Sequence, residues 1–333
     1  MLIGLSCDLK EAITEQTRGD DALEEYDSLD TVKLIAASLE ASGHTVVMLG
    51  GGREFISNIL REKVDLVFNI AEGRGIYRSR EAQVPSILEM LDIPYTGSDP
   101  QCLAICLDKP LTKKLVAAAG VNTPKWYVIT DKEELCQITR CRFPFPAIIK
   151  PAYEGSSKGI RLSSVADSLK QAIEAVDRLL ENYRQPVMIE EFIAGDEVTV
   201  GIMGNSPPKV LGMMRILPKR RDNHFVYSLE VKRNYLDLVE YECPARLERK
   251  VLQNLEASGL SAFAALGCRD FARLDFRISP EGVPYLLEVN PLPGLGNHSD
   301  LVIMAKEIGW THKELIVSVL NAALKRYPQC VDV

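Results

Sequence analysis

Short apolar runs alternate with amphipathic stretches over the first hundred residues of the chain. In chain order, runs of strand length and stretches of helical spacing lie at 2–5, 24–43, 45–49, 53–63, 65–70 and 81–91. Strands that are joined through helices by short connections form a parallel sheet with helices on its faces. We therefore predict a doubly wound α/β domain at the start of the chain.

The pattern after residue 105 mixes helices with short strands. Helical spacing recurs at 108–119, 168–180, 246–266 and 315–325. Strand-like runs lie at 126–129, 147–149 and 187–192, and short strands dominate between residue 197 and the helix at 246. The sequence contains no internal repeat and no low-complexity linker, so we expect closely interleaved domains.

The composition is that of an ordinary globular protein. Of the 333 residues, 46% are hydrophobic and 26% are charged, and this length predicts two or three domains. The net charge of −7 argues against a large nucleic-acid interface, which needs clustered basic residues. No apolar run approaches the ~18 residues of a membrane span, and no signal peptide is visible. These features predict a cytoplasmic protein without nucleic-acid or membrane partners.

The cysteines show no spacing typical of a metal site. None forms a CxxC pair, and none stands near a histidine pattern. The sequence therefore predicts free cytosolic thiols rather than a zinc site. The eight residues are Cys7, Cys102, Cys106, Cys136, Cys141, Cys243, Cys268 and Cys330.

The strongest local signal is the pair of strands FARLDFRI and YLLEVN. Alternation places Arg273 and Asp275 on one face of the first strand. If 281–282 is a two-residue hairpin loop, Asp275 lies opposite Glu288 and Arg273 lies opposite Asn290. Two adjacent carboxylates and an amide oxygen suit Mg²⁺. The alternative interpretation is a solvated outer face of an amphipathic hairpin.

A small-residue loop, PAYEGSSKG at 151–159, follows the apolar strand that ends at Lys150. Glycine and serine let backbone amides approach phosphate oxygens, and Lys150 and Lys158 add positive charge. The loop is not a Walker motif, because the chain contains no GxxxxGK[ST]. By itself such a loop is more often a turn, and Lys109 by itself is more often a solvated charge.

Taken in order, IIKPAYEGSSKG, MIEEFIAGDEVTV, ARLDFR and LLEVNPLPGLGNHS resemble the motifs of the D-alanine–D-alanine ligase family of ATP-grasp enzymes. The resemblance runs from residue 81 to the end of the chain. It implies an ATP-grasp fold preceded by a Rossmann-like α/β domain, with ATP bound between the second and third domains. The domain ranges would be 1–105, 106–193 and 194–333.

The resemblance also implies which residues bind the nucleotide and the metal. Lys109 and Lys150 would contact the phosphates and the adenine region of ATP, and Glu197 would bind the ribose. Further nucleotide contacts would come from Glu154, Ser157, Glu190, Glu191, Phe192 and Ile193. The ligands of two Mg²⁺ ions, for which Mn²⁺ could substitute, would be Asp275, Glu288 and Asn290.

The implied reaction is the ADP-forming ligation of a carboxylic acid to an amine through an acyl-phosphate. Arg273 and the Gly294 amide would stabilise the tetrahedral oxyanion, and Lys232 would contact the γ-phosphate. Ser299 would bind the carboxylate of the second substrate, and Ser156 would lie beside the first substrate. The small-residue loop and a second loop around 220–234 would close over the site and exclude water.

The first 80 residues do not follow the family pattern. An ungapped match puts Tyr26 where the family has the glutamate that faces the ammonium of the first substrate. Glu72 stands where a histidine follows the third strand, and Arg233 stands in place of a tyrosine. We expect a rebuilt pocket in which Glu72 binds the ammonium and Arg233 adjusts selectivity, although Asp27 or Glu24 could serve instead.

Three functions are open at this point. The first is D-alanine–D-alanine ligation for peptidoglycan, and the second is a related ligase that joins other amino or hydroxy acids in secondary metabolism. The third is a nucleotide-binding regulator without catalysis, which would be expected to lack Arg273 or a metal ligand. The resemblance further implies small-molecule substrates and a homodimer.

Overall fold

The computed structural model of the protein describes residues 1–13, 19–140, 143–220 and 224–330. Within these ranges the strands form three sheets. No helix in the described ranges has the length and apolar character required to cross a bilayer.

The first sheet is parallel and contains β1 (Leu2–Ser6), β2 (Thr45–Gly50) and β3 (Leu66–Asn69), with β1 in the centre. Helix α1 (Leu29–Glu40) connects β1 to β2, and helix α2 (Gly52–Arg61) connects β2 to β3. This arrangement confirms the predicted α/β domain at the start of the chain.

Helix α1 begins at Leu29, later than the helical pattern from residue 24 predicts. The Ser28 hydroxyl accepts a hydrogen bond from the Thr31 amide at 3.3 Å and caps the helix there. The preceding residues form turns, and Asp27 forms an isolated bridge with Leu9. Of the apolar side chains just before Ser28, that of Tyr26 is buried without being helical.

The second sheet is four-stranded and antiparallel, with the order β4-β7-β5-β6. Its strands are β4 (Trp126–Ile129), β5 (Ala147–Pro151), β6 (Val165–Ala166) and β7 (Val187–Glu191).

The third sheet is five-stranded and antiparallel, with the order β10-β9-β8-β11-β12. Its strands are β8 (Asp196–Met203), β9 (Lys209–Pro218), β10 (Val239–Glu242), β11 (Phe271–Ile278) and β12 (Pro284–Asn290).

Helices cover the sheets and connect them. In chain order they are α3 (Gln83–Met90), α4 (Pro100–Leu107), α5 (Lys109–Ala118), α6 (Leu135–Arg140), α7 (Leu169–Tyr183), α8 (Leu229–Arg233), α9 (Tyr235–Leu238), α10 (Arg249–Ala265), α11 (Asp300–Glu307) and α12 (His312–Leu324). Short 3-10 turns lie at Lys10–Ala12, Arg80–Ala82, Lys132–Glu134, Leu162–Ser164 and Pro328–Cys330.

One hydrophobic core joins the first sheet to the last two helices. Leu5 and Phe68 of the first sheet belong to the same buried cluster as Met214 of β9, Leu301 of α11 and Ile316 of α12. Burial of apolar surface is the main stabilising contribution to such a contact. The first and third sheets are therefore held against each other, and the carboxyl end of the first sheet faces the third.

Helices α4, α6, α8, α9 and α11 are absent from the sequence prediction. In α4 the side chains of Cys102, Leu103, Cys106 and Leu107 are all buried, so the helix has no polar face. A helix that is apolar on most sides lacks the periodicity by which an amphipathic helix is detected.

The hairpin between β11 and β12 keeps the predicted pairing of Asp275 with Glu288. Its loop differs, because residues 280–282 lie between the paired residues Ser279 and Val283, and Gly282 adopts a φ of 77°. The register shifts by one residue between Asp275 and Phe276, which compensates for the third loop residue. The predicted two-residue loop is therefore wrong, whereas the register at the polar end is confirmed.

Candidate active site

A cavity of ≈ 490 Å³ is lined by the second and third sheets and by the connections around the first. This volume lies in the range of about 300–1,000 Å³ that is typical of small-molecule sites. The predicted residues that line it are Glu72, Lys109, Lys150, Ser156, Ser157, Glu190, Glu191, Phe192, Ile193, Glu197, Lys232, Arg273, Asp275, Glu288, Asn290, Gly294 and Ser299. Glu154 and Arg233 lie outside the lining.

The polar end of the β11–β12 hairpin faces this cavity. Asp275 pairs with Glu288 and Arg273 with Asn290 in the register of the two strands. The Asn290 amide donates to Asp275 Oδ2 at 3.2 Å, and the Thr199 hydroxyl donates to Asp275 Oδ1 at 3.1 Å. Their side chains line an interior cavity, so the alternative interpretation of a solvated outer face is wrong for this end of the hairpin.

The two carboxyls of the hairpin have opposite electrostatic environments. Burial raises the pKa of Asp275 to about 6, against the attraction of Arg273 and with repulsion from Glu288. Burial would also raise the pKa of Glu288, but the attraction of Lys109, Lys150 and Arg273 outweighs it and holds this pKa at about 2. The donor set of carboxylate and amide oxygens fits a hard divalent cation such as Mg²⁺.

Arg273 bridges the hairpin and helix α11. Its Nη2 lies 2.8 Å from Asp275 Oδ2, and its Nη1 lies 3.3 Å from Asp300 Oδ2. Asp300 follows Ser299, the N-cap residue of α11, and both residues line the cavity. Asp300 was not predicted as a site residue, because its partner Arg273 is distant in the chain.

A buried cluster of two lysines and one glutamate lies at the other side of the cavity. Glu190 Oε1 is 2.9 Å from Lys150 Nζ, and Glu190 Oε2 is 2.5 Å from Lys113 Nζ. Burial lowers the pKa of Lys113 to about 8, against the attraction of Glu190. Lys113 was missed by the sequence analysis, although it lies four residues after Lys109 and therefore on the same face of α5.

Lys109 connects this side of the cavity to the β11–β12 hairpin. Its Nζ lies 3.2 Å from Glu288 Oε2 and also donates to the backbone carbonyl of Glu154. The N-terminus of α5 is capped by Asp108, whose side chain accepts from the Leu111 amide at 3.0 Å. This cap fixes the start of α5 and so directs Lys109 into the cavity.

Glu197 lies where β8 enters the cavity. Arg277 Nη1 donates to Glu197 Oε1 at 2.8 Å, and the same guanidinium carbon lies 4.4 Å from the centre of the Phe192 ring. Burial raises the pKa of Glu197, against the attraction of Arg277. Phe192 is thus held with its ring at the cavity wall, beside a carboxylate suited to a hydroxyl donor.

The side chain of Glu154 is directed away from the cavity. It receives Arg80 Nη2 at 3.1 Å, Lys158 Nζ at 2.6 Å and Gln185 Nε2 at 2.7 Å. Lys158 also lies 3.3 Å from Glu25, so its charge is engaged by two carboxylates. The placement of Glu154 and Lys158 does not support their prediction as nucleotide and phosphate contacts.

Arg233 is also directed away from the cavity, whereas Lys232 faces it. Consecutive helical residues point about 100° apart. Arg233 donates to Asp20 Oδ2 at 2.9 Å and to Glu24 Oε1 at 2.7 Å, and of these three residues only Glu24 lines the cavity. Burial, followed by repulsion from Arg273, lowers the pKa of Lys232. Arg233 therefore holds a turn of the first domain, and this placement does not support the prediction that it contacts substrate.

That turn, residues 20–25, is called the acidic turn below. Besides Arg233, it binds the small-residue loop and the segment after it. Asp21 accepts the Gly159 amide at 3.0 Å, Asp20 accepts Arg161, and Glu25 contacts Lys158. Both predicted closing segments thus contact the same turn, although residues 221–223 of the second lie outside the described residues.

The cavity end nearest the first sheet is rich in carboxyl groups. Glu72 and Glu81 line it together with Tyr26 and Asp27. Burial raises the pKa of Tyr26 to about 12, so its hydroxyl is neutral and no charge replaces the missing glutamate at this position. Glu81 was not predicted as a site residue, because it begins an amphipathic stretch and an acidic residue is common at the start of a helix.

Three cysteine side chains meet behind the cavity. Cys102 Sγ lies 3.9 Å from Cys106 Sγ and 3.6 Å from Cys268 Sγ, and all three residues are buried. Cys102 and Cys106 come from α4, and Cys268 comes from the segment after α10. The spacing of cysteines along the chain therefore does not reveal that the three side chains meet. Cys141 lies outside the described residues.

Comparison with known proteins agrees with this geometry. Residues 115–321 match the family model described as D-ala D-ala ligase C-terminus. The chain is 36% identical to a D-alanine–D-alanine ligase of Aquifex aeolicus over 294 residues, which cover 88% of this chain and 94% of that protein. It belongs to the D-alanine–D-alanine ligase family.

Other matches extend over nearly the full length. The uncharacterised protein y4sG of Sinorhizobium fredii is 33% identical over 304 residues, which cover 88% of this chain and 87% of that protein. The crystal structure of D-alanine–D-alanine ligase from Bacillus anthracis complexed with ATP superposes with a TM-score of 0.75 and 23% identity, and covers 99% of both chains. The predicted ATP-grasp fold with a preceding parallel α/β domain is confirmed.

The site has two parts, which differ in how closely their sequence follows the family pattern. Asp275, Glu288 and Asn290 of the β11–β12 hairpin, together with Lys109 and Lys150, lie in the part of the chain that resembles the family in sequence. The end formed by Tyr26, Glu72 and Glu81 is where the chain departs from the family pattern.

Proposed function

We propose that the protein is an ATP-dependent ligase that joins a carboxylic acid to an amine and forms a dipeptide through an acyl-phosphate. The observation that carries this proposal is the pairing of Asp275 with Glu288 and of Arg273 with Asn290, in one cavity with Lys109 and Lys150. Family membership supports the same reaction.

In this proposal ATP lies between the second and third sheets. Phe192 and Ile193 would line the adenine, and Glu197 would accept a ribose hydroxyl. Lys150 and Lys109 would offset the charge of the phosphates. Both lysines now contact carboxylates, Glu190 and Glu288 respectively, which hold them at the cavity wall.

The residues Asp275, Glu288 and Asn290 would hold Mg²⁺, with Mn²⁺ as a substitute. When bound, the ion offsets phosphate charge and orients the γ-phosphoryl group. Asp275 is also hydrogen-bonded by Thr199 and Asn290, which fixes the direction of its oxygens.

The chemistry at the carbonyl carbon would depend on Arg273. A carboxylate is a poor electrophile, and phosphorylation gives it a leaving group. Attack by the amine then places negative charge on the former carbonyl oxygen, which Arg273 and the Gly294 amide would stabilise. Asp300 holds Arg273 from the opposite side, at 3.3 Å, and Ser299 beside it would bind the carboxylate of the second substrate.

An acyl-phosphate is hydrolytically fragile, so water has to be excluded while it exists. The small-residue loop contributes Ser156 and Ser157 to the cavity, and α8 contributes Lys232. The acidic turn binds both segments, which would keep them over the site when the substrates are present.

Several finer assignments belong to the same proposal. The domain ranges 1–105, 106–193 and 194–333 follow the three sheets, and the family resemblance implies a homodimer in the cytoplasm. Light scattering of the purified protein at several concentrations measures the oligomeric state directly.

The test of the proposed function is phosphate release from ATP with D- and L-amino acids in pairwise combination, followed by mass spectrometry of the product. The proposal expects ADP, phosphate and a dipeptide in equal amounts. ATP turnover without any amide product, or no turnover with any pair, would contradict it.

A further inference from the structure

Three carboxyl groups at the first-sheet end of the cavity have no partner. Asp27, Glu72 and Glu81 line the cavity, and among the described residues their side chains make no hydrogen bond or ion pair. Glu81 is only 9% exposed, and it opens onto the cavity. Asp27 and Glu72 are half-buried. Carboxylates that are withdrawn from water are ordinarily paired with a cation or with hydrogen-bond donors, so three together require an explanation.

The cations near this end are already engaged. Arg80 Nη2 lies 2.7 Å from Glu25 and 3.1 Å from Glu154, and Lys158 contacts the same two carboxylates at 3.3 and 2.6 Å. These two cations and two anions balance one another in charge, and Arg80 also attracts Glu72 and Glu81 through space without an ion pair to either.

Two further cations border the same region. Arg74 lies 2.7 Å from Asp8 Oδ1, which balances that pair. Lys10 attracts Asp27 only through space, since no ion pair joins the two residues. This end of the cavity therefore carries up to three negative charges that no side chain among the described residues pairs directly.

The electrostatic environment agrees with this count. Burial raises the pKa of Asp27 and that of Glu81 to about 7, and it raises the pKa of Glu72 well above its usual range. Repulsion from Glu81, Glu25 and Asp27 adds to the effect at Glu72. A cation placed among these groups would favour their ionised forms and would be held by them.

The position of the carboxyls ties them to the reaction. Glu81 is close enough to Lys109 to be attracted by it, and Lys109 contacts Glu288 of the β11–β12 hairpin. A ligand bound by Glu72 and Glu81 would thus lie next to the proposed site of phosphoryl transfer, where the first substrate must place its carboxylate.

One α-ammonium group compensates one carboxylate, and a side-chain cation compensates a second. Alanine would therefore leave two of the three acids unpaired and a basic amino acid only one, and an ionised group that is buried without a partner is costly. We propose that the first substrate is a basic amino acid, whose α-ammonium and side-chain cation are bound together by Asp27, Glu72 and Glu81. This inference rests on the proposed ligase function, because it identifies the end of the cavity with the first-substrate site.

Hydroxylamine replaces the second substrate in the test, since it converts an acyl-phosphate to a hydroxamate. The first substrates compared are lysine and ornithine, each in D and L form, with norleucine, norvaline and alanine as neutral counterparts. We expect kcat/KM for a basic amino acid to exceed that of its neutral counterpart by about tenfold or more, the value of one charge-assisted hydrogen bond. Equal or higher efficiency with the neutral amino acids overturns the inference.

Two variants locate the effect. Glu72→Gln and Glu81→Gln should each lower kcat/KM for the basic amino acid by about tenfold or more, with the KM for ATP unchanged. The matched control is Glu256→Gln on the exposed face of α10, which removes the same charge away from the cavity. A uniform loss for basic and neutral substrates in both cavity variants also overturns the inference.

Calorimetry separates this inference from the ligase proposal. If no amino acid elicits ATP cleavage but lysine binds about tenfold more tightly than norleucine and Glu81→Gln abolishes the difference, the ligase function fails and the cationic site stands. If neutral amino acids are activated as efficiently as basic ones, the ligase function stands and the inference fails.

Discussion

Replacing Glu81 by glutamine should stabilise the protein, and the gain should depend on pH. The Glu81 side chain is 9% exposed and has no hydrogen bond or ion pair among the described residues, so its ionised form is poorly compensated. Its pKa is about 7 in the folded protein, against 4.5 for an ordinary glutamate. At about 1.4 kcal/mol for each pKa unit, this difference is worth about 3 kcal/mol of unfolding free energy.

The direction of this pH dependence follows from the protonation of Glu81 in the folded and unfolded states. Below the ordinary pKa near 4.5 both the folded and the unfolded states keep Glu81 protonated, and the residue costs nothing. As the pH rises toward 7, only the unfolded state releases its proton, so wild-type stability falls. The advantage of Glu81→Gln should therefore grow from near zero at about pH 4.5 to about 3 kcal/mol at about pH 8.

Urea unfolding of both proteins at several pH values measures this advantage, with Glu256→Gln as the control for a general change in net charge. A gain of the same size at low and at high pH would show that the glutamine packs better and that charge is not the cause. No gain at about pH 8 would refute the account of Glu81 as an uncompensated buried acid.

Four further substitutions test other parts of the site. Asp275→Asn and Glu288→Gln should each lower Mg-dependent ATP turnover by about 100-fold or more with an unchanged circular dichroism spectrum, and wild-type turnover in either would exclude the metal assignment. Lys150→Met should weaken ATP binding by about tenfold in calorimetry, because the phosphates lose a cation. Lys113→Met should lower the unfolding free energy by about 3 kcal/mol by depriving buried Glu190 of one partner, and the double variant with Glu190→Gln should recover part of the loss in urea unfolding.

The hairpin shows how a correct prediction can rest on a partly wrong reason. The sequence indicates a two-residue loop at 281–282, and this loop puts Asp275 opposite Glu288. The folded chain uses three loop residues, and an irregularity beyond Asp275 restores the same pairing. The extra residue is Leu287 in β12, whereas the pairing of β11 with β8 stays regular. Local turn patterns do not contain such an irregularity inside a strand.

Residues within short motifs were predictable, whereas residues that depend on distant partners were not. Lys150 and Glu190 belong to recognisable segments, but Lys113 acquires its role only when α5 packs beside β7. The predicted substrate contact of Arg233 is unsupported for a related reason. It follows Lys232 in sequence, yet the short helix α8 turns the two side chains in different directions.

The contacts of the acidic turn have a consequence for recombination among relatives. Asp20, Asp21, Glu24 and Glu25 come from the first domain, and the groups they bind come from the other two, at Gly159, Lys158, Arg161 and Arg233. A chimera that takes its first domain from a relative without these acids would keep the β11–β12 hairpin. It would lose the contacts that bind both predicted closing segments to the first domain. We therefore expect a first domain to be exchangeable only together with the basic residues that its acidic turn binds. The sequence of this turn can be used to choose which relatives to combine in a hybrid ligase.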